Sequence, residues 1–278
     1  MNILEITILI WFGSLVAGFL GALTGLGGGV VIVPMLTLAF GVDIRYAIGA
    51  SLVSVIATSS GAASAYVREG YSNIRIGMFL EVATTLGALA GAFLAARLSS
   101  PVISIIFGFV LLHSAFVSFR SLHKRPLSDR PDPLAVRLGM DASYPGPEGP
   151  NLYHVQAVPL GFGLMFGAGS ISGLLGIGSG AVKVLAMDQV MRIPFKVSTT
   201  TSNFMIGVTA AASAGIYLNR GYLEPGLVMP VMLGVLMGSL VGARLLLKTG
   251  TAVLRMVFSA VILLLAIEMI YHGLEGGL

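Results

Sequence analysis

The feature that most constrains this chain is an internal repeat that carries the same glycine-rich motif twice. The first copy occupies residues 25–29 (GLGGG) and the second occupies residues 176–180 (GIGSG), 151 positions further along. Shifting the chain by 151 positions aligns 18–98 with 169–249 without a gap, and 19 of the 81 aligned positions are identical. Chance would give roughly one identity in twelve. The chain is therefore predicted to consist of two related halves.

Each glycine motif interrupts an apolar run of the length of a membrane-spanning helix, over residues 18–40 and 162–191. Glycine permits positive φ and close backbone approach, so a cluster of glycines should break the helix. In hydrocarbon, such a break is tolerated only where protein covers it or where it lines a water-filled cavity. A pair of glycine-interrupted segments in corresponding halves is typical of the binding site of a secondary transporter.

Composition supports a membrane protein and excludes several other classes. The chain is 56% hydrophobic and 10% charged, whereas soluble domains carry about 25% charged residues. The net charge of +4 comes from basic residues that stand singly at the ends of apolar runs, so it indicates membrane topology and no nucleic-acid partner. Cysteine is absent and the four histidines are scattered, so no metal site and no cofactor is expected. No catalytic motif is recognisable, and we predict that the protein is not an enzyme.

Ten apolar segments predict an all-α polytopic membrane protein with 8–10 membrane segments, arranged as two repeats of about five segments each. The runs are 3–23, 29–40, 46–67, 76–98, 101–119, 155–175, 181–191, 197–218, 223–247 and 252–272. The two that follow the glycine motifs, 29–40 and 181–191, are too short for a regular span of about 20 residues. They are either short crossings or re-entrant helices.

The distribution of basic residues favours five crossings per half. Four crossings would divide the basic residues 8:8 between the two sides, whereas five would divide them 12:4. Five crossings make the two halves inverted repeats. Both termini are then expected outside the cell and the central loop in the cytoplasm. We expect the protein to lie in the plasma (inner) membrane.

The polar segment 121–154 separates the first transmembrane repeat (1–120) from the second (155–278). It holds six of the twelve prolines, and proline at this density is expected to block helices and strands. We interpret it as a cytoplasmic linker, with a small regulatory element as the alternative.

A basic residue and a hydroxyl-rich helix start follow each glycine motif. Helix N-termini offer unpaired N–H groups and a positive dipole end, which together bind anions. Two such half-sites facing each other would form a donor-rich anion pocket, although Ser and Thr in membrane helices often only bond back to their own helix. The predicted substrate-binding residues are Gly25, Gly27, Gly28, Gly29, Ser51, Gly176, Gly178, Ser179, Gly180, Lys183, Thr200, Thr201, Ser202 and Asn203.

Lys183 lies three residues past Gly180 in an otherwise apolar segment. A buried intramembrane lysine is costly and is a functional candidate by default. It could balance the charge of an anion, carry a proton, or pair with Asp188. Glu81 and Glu268 are expected near span ends, at the membrane interface, and Arg45 and Lys196 are expected to mark interfaces too.

Two repeat-related small-xxx-small motifs, Gly87–Gly91 and Gly238–Gly242, allow close helix approach. Packing inside the chain is one interpretation, and a homodimer interface is the other.

At these motifs the chain resembles the TauE/SafE family, the sulfite-exporter-like permeases. The resemblance rests on GLGGG followed by Val33 and Pro34, on YAIGAS at 46–51, on GIGSG with Lys183, and on PFKVSTTTSN at 194–203. It covers nearly the whole chain except the central linker. It implies a secondary transporter that exports small organosulfur anions, such as sulfite or sulfonates, by alternating access. A passive anion channel and a transporter of small carboxylates remain the alternatives.

Overall fold

The computed structural model describes residues 2–24, 28–68, 72–119, 132–146, 149–246 and 251–275. The first repeat forms α1 (Ile3–Thr24), α2 (Gly29–Pro34, continued by a π-helical turn over Met35–Ala39), α3 (Ile44–Arg68), α4 (Ile74–Ala95) and α5 (Ser100–Phe119). A short helix α6 (Pro133–Arg137) and a hairpin of β1 (Ala142–Gly146) and β2 (Gly149–Tyr153) follow. The second repeat forms α7 (Val158–Leu175), α8 (Gly180–Leu185, continued by a π-helical turn over Ala186–Val190), α9 (Phe195–Asn219), α10 (Pro225–Leu246) and α11 (Thr251–Glu275).

Helices of both repeats are long and apolar enough to cross a membrane. Among the described residues, four helical segments are long and apolar enough by length and composition: Leu4–Gly21, Ile74–Ala95, Val158–Leu175 and Pro225–Gly242. In hydrocarbon every backbone N–H and C=O must be paired within the chain, and a helix satisfies this requirement. The protein is an all-α polytopic membrane protein, as its sequence predicts.

The two repeats pack against each other in a pattern that follows the internal repeat. Helix α1 of the first repeat packs on α10 of the second, and its counterpart α7 packs on α4. Helix α3 packs on its own counterpart α9, and α5 packs on its own counterpart α11. This pattern is the one that a pseudo-two-fold axis between the repeats would produce.

Glycine contacts show that the two helices of the pair α1 and α10, and those of the pair α4 and α7, run parallel. On α10, Gly234 lies against the backbone of Trp11, and Gly238, one turn later, lies against the backbone of Leu15 on α1. The same progression relates α4 to α7. These glycines let the backbones of two helices approach directly, because a Cβ atom at either position would overlap a carbonyl oxygen.

Helices that are matched by the repeat and pack on each other, α5 with α11 and α3 with α9, run antiparallel. On α5 and α11, Gly108 lies against Ile270, whereas Gly273 lies against Pro101 near the start of α5. Contacts that move in opposite directions along the two helices identify an antiparallel pair.

Helices α3 and α9 are also antiparallel. Ser59 in the second half of α3 lies against Gly207 in the first half of α9, while Tyr46 at the start of α3 meets the ring of Tyr222 beyond the end of α9. Five crossings per half require antiparallel counterparts, and four crossings would make them parallel. The packing therefore supports the inverted arrangement that the basic residues favour.

The short segments after the glycine motifs are built alike in both repeats. Met35 lies against Gly13, and Gly28 lies against Gly18, so α2 and its π-helical turn run back antiparallel to α1. At 1.5 Å per residue this segment covers about half of the hydrocarbon thickness. The second repeat has its π-helical turn at the equivalent place although Leu185 replaces Pro34, so the proline is not what produces the turn.

Part of the central segment is ordered, contrary to the prediction that its prolines block helices and strands. Pro133 stands in the first turn of α6, where a missing N–H removes no helical bond. Pro145 and Pro150 face each other across the hairpin, and each strand of a two-stranded hairpin has an unpaired side that tolerates proline. That prediction was wrong for 132–146 and 149–154, because Pro133, Pro145 and Pro150 stand where no donor is needed. Residues 121–131, 147 and 148 lie outside the described part.

The helix and hairpin dock on the first turn of α4. Asn73 caps α4 by accepting a hydrogen bond from Ile76 N, and its amide donates to the carbonyl of Met140 at 3.2 Å and to Tyr153 Oη at 2.8 Å. Arg75 donates to the carbonyl of Gly139 at 2.8 Å. The helix and hairpin thus contact the first turn of α4 through Asn73 and Arg75.

Candidate functional site at the glycine breaks

The two glycine motifs meet at the interface between the repeats. Ser51 Oγ on α3 donates a hydrogen bond to the carbonyl oxygen of Gly176 at 2.7 Å. Gly29 lies so close to both that a Cβ atom there would stand 2.6 Å from Ser51 Oγ and 2.8 Å from Gly176 O. The structure therefore brings a part of each motif and the first hydroxyl candidate into direct contact.

The second motif breaks the helix with left-handed backbone. Gly176 has φ +68°, Gly178 has φ +74° and Ser179 has φ +47°. Glycine adopts this region freely, but serine does so at a cost of about 1–2 kcal/mol. The first motif differs at the matching position, where Gly28 has φ −65°; Gly25 and Gly27 lie outside the described residues.

Ser179 combines backbone strain with an unused hydroxyl. The residue is 3% exposed, and its Oγ has no hydrogen-bond partner within the part of the chain that the structure describes. Buried polar groups are almost always paired, and strained residues cluster at functional sites. Ser179 Oγ is accordingly a hydroxyl donor at the break that remains available to a ligand.

The hydroxyl groups at the start of α9 make two kinds of hydrogen bond, some within α9 and some to other segments. Thr200 Oγ1 bonds back to the carbonyl of Lys196 at 3.0 Å, which is the intrahelical alternative. Thr201 Oγ1 accepts from the backbone N of Asn73 at 3.0 Å, and Ser202 Oγ donates to the carbonyl of Gly180 at 3.4 Å. Asn203 is half-buried on the same helix.

Lys183 is fully buried in a chain of polar groups. Its Nζ donates to Thr209 Oγ1 at 2.6 Å, and Thr209 Oγ1 donates to Glu81 Oε1 at 2.6 Å. Lys183 Nζ also stands 3.9 Å from Glu81 Oε2. A hydroxyl thus bridges an ammonium of the second repeat and a carboxylate of the first.

The position of Glu81 corrects the prediction from the sequence. Glu81 is 7% exposed and accepts a further hydrogen bond from Thr85 Oγ1 at 3.1 Å. The sequence suggests an interfacial position for Glu81, and in the structure its side chain faces protein, between Lys183 and Thr209 of the second repeat. The sequence names Asp188 as the candidate partner of Lys183, whereas the structure places an ion pair between Lys183 and Glu81 of the opposite repeat.

A signal for this pair was present in the internal repeat. The shift of 151 positions places Ile32 opposite Lys183 and Met232 opposite Glu81, whereas Thr58 matches Thr209. A charged residue that replaces an apolar one at a repeat-related position stands out in the alignment. Applied to Glu81, this comparison would have selected it together with Lys183.

The ion pair adjoins the glycine break. Thr209 lies seven residues beyond Ser202 on α9, which is about 10 Å along the helix. Between them, Ile206 packs against Gly178 at the centre of the break. The break therefore has the hydroxyl contacts on one side and the buried ammonium and carboxylate on the other.

At the far end of α9, a cleft between the repeats is lined by basic and aromatic side chains. It includes Arg45, Arg220, Tyr217 and Tyr222. Arg45 donates to the carbonyl of Leu98 at 2.7 Å, and its guanidinium stands 5.9 Å from the ring centroid of Tyr222. The two arginine side chains give this cleft a positive charge.

Apolar helices in two packed repeats, interrupted at their interface beside a buried ion pair, define a polytopic membrane protein of the transporter class. The chain belongs to the TauE/SafE family: the sequence model described as "Sulfite exporter TauE/SafE" matches residues 10–269. This confirms the resemblance seen in the motifs.

Relatives carry transporter names as well. A probable membrane transporter protein YunE of Bacillus subtilis is 28% identical over 268 residues, covering 94% of this chain and 96% of the relative. A probable membrane transporter protein YdhB of the same organism is 26% identical, covering 83% of this chain and 85% of the relative. The probable membrane transporter protein MJ0441 of Methanocaldococcus jannaschii is 24% identical, covering 94% and 93%. No solved structure matches the chain.

Proposed function

We propose that this protein is a secondary active transporter that exports small organosulfur anions, such as sulfite or sulfonates, across the cell membrane by alternating access. The observation that carries the proposal is the meeting of two glycine breaks at the interface between the repeats, beside a buried lysine. Backbone N–H groups, hydroxyls and one ammonium suit a small oxyanion, because they supply donors and a single positive charge.

The proposed binding residues come from both repeats. Gly29 and Ser51 supply the first half-site, and Gly178, Ser179 and Lys183 supply the second. Ser179 Oγ is buried without a partner among the described residues, and Lys183 uses one of its three ammonium donors on Thr209. The Ser179 hydroxyl and the Lys183 ammonium can coordinate an oxyanion without bringing a further fixed charge into the membrane.

Alternating access follows from the way the repeats join. Ser51 and Gly176 form a hydrogen bond directly across the repeat interface, at the level of the breaks. Rocking one repeat against the other about this level would open the site to one side at a time. The antiparallel counterpart helices support a rocking motion that exchanges equivalent conformations of the two repeats.

Radiolabelled anion exchange in proteoliposomes tests the proposal. We expect trans-stimulated exchange of [35S]sulfite or [35S]methanesulfonate. The exchange rate should fall at least tenfold in the single variant Lys183→Ala, and also in the double variant that combines Ser51→Ala with Ser179→Ala. Glu224→Gln, at an exposed position before α10, is the matched control with wild-type exchange. Flux without trans-stimulation would establish a channel, exchange of acetate alone would establish a carboxylate transporter, and unchanged exchange in Lys183→Ala would remove the site.

A further inference from the structure

We propose that Glu81 pairs with Lys183 in the place that the transported anion would take, and that an anion replaces it on Lys183 only when a proton binds to Glu81. The transporter then moves one proton together with each monovalent anion, and an excess of the anion inside the cell drives the export of both. This inference rests on the proposed function, and it adds the coupling ion and the residue that carries it.

The geometry of the pair fits an exchangeable partner. Glu81 Oε2 stands 3.9 Å from Lys183 Nζ and has no hydrogen-bond partner among the described residues. Hydrogen bonds between an ammonium and a carboxylate measure about 2.7–2.9 Å, so the two charges attract without a direct bond. Thr209 holds Glu81 Oε1 and Lys183 Nζ at 2.6 Å each. The ammonium therefore keeps donors that an anion oxygen can use.

The repeat shows that the fold does not require this ion pair. Ile32 and Met232 occupy the positions that match Lys183 and Glu81 in the 151-residue shift. Thr58, which matches Thr209, bonds to the carbonyl of Val55 in its own helix. The positions that match the ion pair thus carry two apolar side chains, whereas Lys183 and Glu81 form a costly buried pair, which indicates that the pair serves transport.

Charge balance in a low-dielectric site dictates the coupling. Lys183 and Glu81 form a neutral pair, and a monovalent anion added beside them would leave one negative charge uncompensated in the membrane. Protonation of Glu81 removes that charge, because a new O–H bond forms on the carboxylate while the anion keeps its electrons and its charge. The loaded and unloaded sites then carry the same net charge, and either can pass through the membrane.

Few other titratable groups on the packed helices could take this role. Helix α7 contains none, and on α4 the other is Arg75, which bonds to Gly139 outside the pair. On α9, Lys196 lies at the helix start and Tyr217 donates to the carbonyl of Gly173. Asp188 is half-buried in the π-helical turn after α8. Among the described carboxylates, Glu81 is the one within 4 Å of Lys183 Nζ.

Proteoliposomes that enclose a pH-sensitive dye test the coupling with [35S]methanesulfonate, which stays ionised throughout the accessible pH range. In the wild-type protein we expect one proton to enter with each methanesulfonate and the flux to be insensitive to membrane potential. At alkaline pH, we expect the affinity for methanesulfonate to fall about tenfold per pH unit, as one linked proton requires. The wild-type stoichiometry requires no variant and so does not depend on whether a mutant folds.

Variants assign the proton to Glu81. In Glu81→Gln we expect the proton flux and the pH dependence of the affinity to disappear, whereas Glu81→Asp keeps both and Glu224→Gln behaves as the wild type. Exchange of methanesulfonate without proton movement in the wild type would overturn the inference while leaving the proposed function standing. Persistent proton coupling in Glu81→Gln would overturn the assignment. A wild-type protein that moves neither methanesulfonate nor sulfite would remove the proposed function and this inference with it.

Discussion

The hydroxyl of Ser51 and the carbonyl of Gly176 are joined by a 2.7 Å hydrogen bond that links the two repeats at their glycine breaks. Both residues are buried, so each would leave a polar atom unpaired if the other were lost. The equivalent hydroxyl, Ser202, reaches the carbonyl of Gly180 within its own repeat at 3.4 Å. The two half-sites are therefore related in sequence but different in their contacts.

This difference predicts unequal effects of two repeat-related substitutions. We expect Ser51→Ala to lower the free energy of unfolding by about 1 kcal/mol or more, because the buried carbonyl of Gly176 loses its hydroxyl partner. Ser202→Ala breaks a longer bond and should cost less. Unfolding in mixed micelles by titration with a denaturing detergent measures both, and equal losses would show that the contact between repeats has no special weight.

The buried ion pair predicts that stability lost in single variants is regained when both charged residues are replaced by their repeat-related counterparts, isoleucine and methionine. Lys183→Ile and Glu81→Met should each lower the free energy of unfolding by about 3–5 kcal/mol, since each leaves one buried charge alone. The combined variant should regain most of that stability, because the Thr209 hydroxyl can then donate to the carbonyl of Met205, 3.0 Å away. Anion exchange should be lost in the two variants that lack Lys183 and should persist, without proton movement, in Glu81→Met. A combined variant as unstable as the single ones would show that the pair is structural.

Backbone strain at Ser179 predicts a trade of stability against binding. Ser179→Gly should raise the free energy of unfolding by about 1 kcal/mol, because glycine adopts φ +47° without strain. It should also weaken anion binding, because the unpartnered hydroxyl is removed. Ser179→Ala keeps the strain and removes the same hydroxyl, so its binding should fall equally without a gain in stability. Thermal shift with and without sulfite separates the two effects, and intact sulfite binding in both variants would exclude this hydroxyl from the site.

Close packing of α4 and α7 predicts different effects on stability for a glycine at their interface and a glycine that faces away from it. Gly87 on α4 lies against the carbonyl of Phe166, and an added methyl group would overlap it. Gly87→Ala should therefore cost about 1–3 kcal/mol. Gly167 on α7 faces open space, so Gly167→Ala should leave the melting temperature unchanged or raise it. A similar melting temperature for both variants would contradict the close approach of α4 and α7.

The docked hairpin predicts a loss of stability at high pH. Burial raises the pKa of Tyr153 above its ordinary value of 10.0. Above pH 10 the unfolded chain therefore ionises this phenol before the folded protein does, so stability is present below pH 10 and is lost as the pH rises further. The melting temperature between pH 9 and pH 11 should fall more steeply in the wild type than in Tyr153→Phe. Tyr144→Phe, a change to the neighbouring ring in the hairpin, should keep the wild-type slope.

The helices, the duplication and the class of protein were predictable from the sequence because they depend on local and repeated properties. Apolar runs of about 20 residues form membrane helices whatever packs around them. The GLGGG and GIGSG motifs mark breaks because glycine's backbone freedom is intrinsic. Lys183 stood out because a lysine in an apolar segment is unusual by itself.

Three-dimensional packing alone decided which groups face each other. Glu81 and Lys183 lie about a hundred residues apart in the chain, and no local pattern states that α4 of one repeat and α8 of the other meet at Thr209. The helix at Pro133–Arg137 and the hairpin of β1 and β2 were likewise beyond local reasoning, since proline density says nothing about which prolines sit where no N–H is needed. The sequence by itself thus determined the membrane helices, the two repeats and their glycine breaks. The burial of Glu81, the partner of Lys183 and the contact between Ser51 and Gly176 depend on long-range packing, whose free energy comes from side chains that only the folded chain brings together.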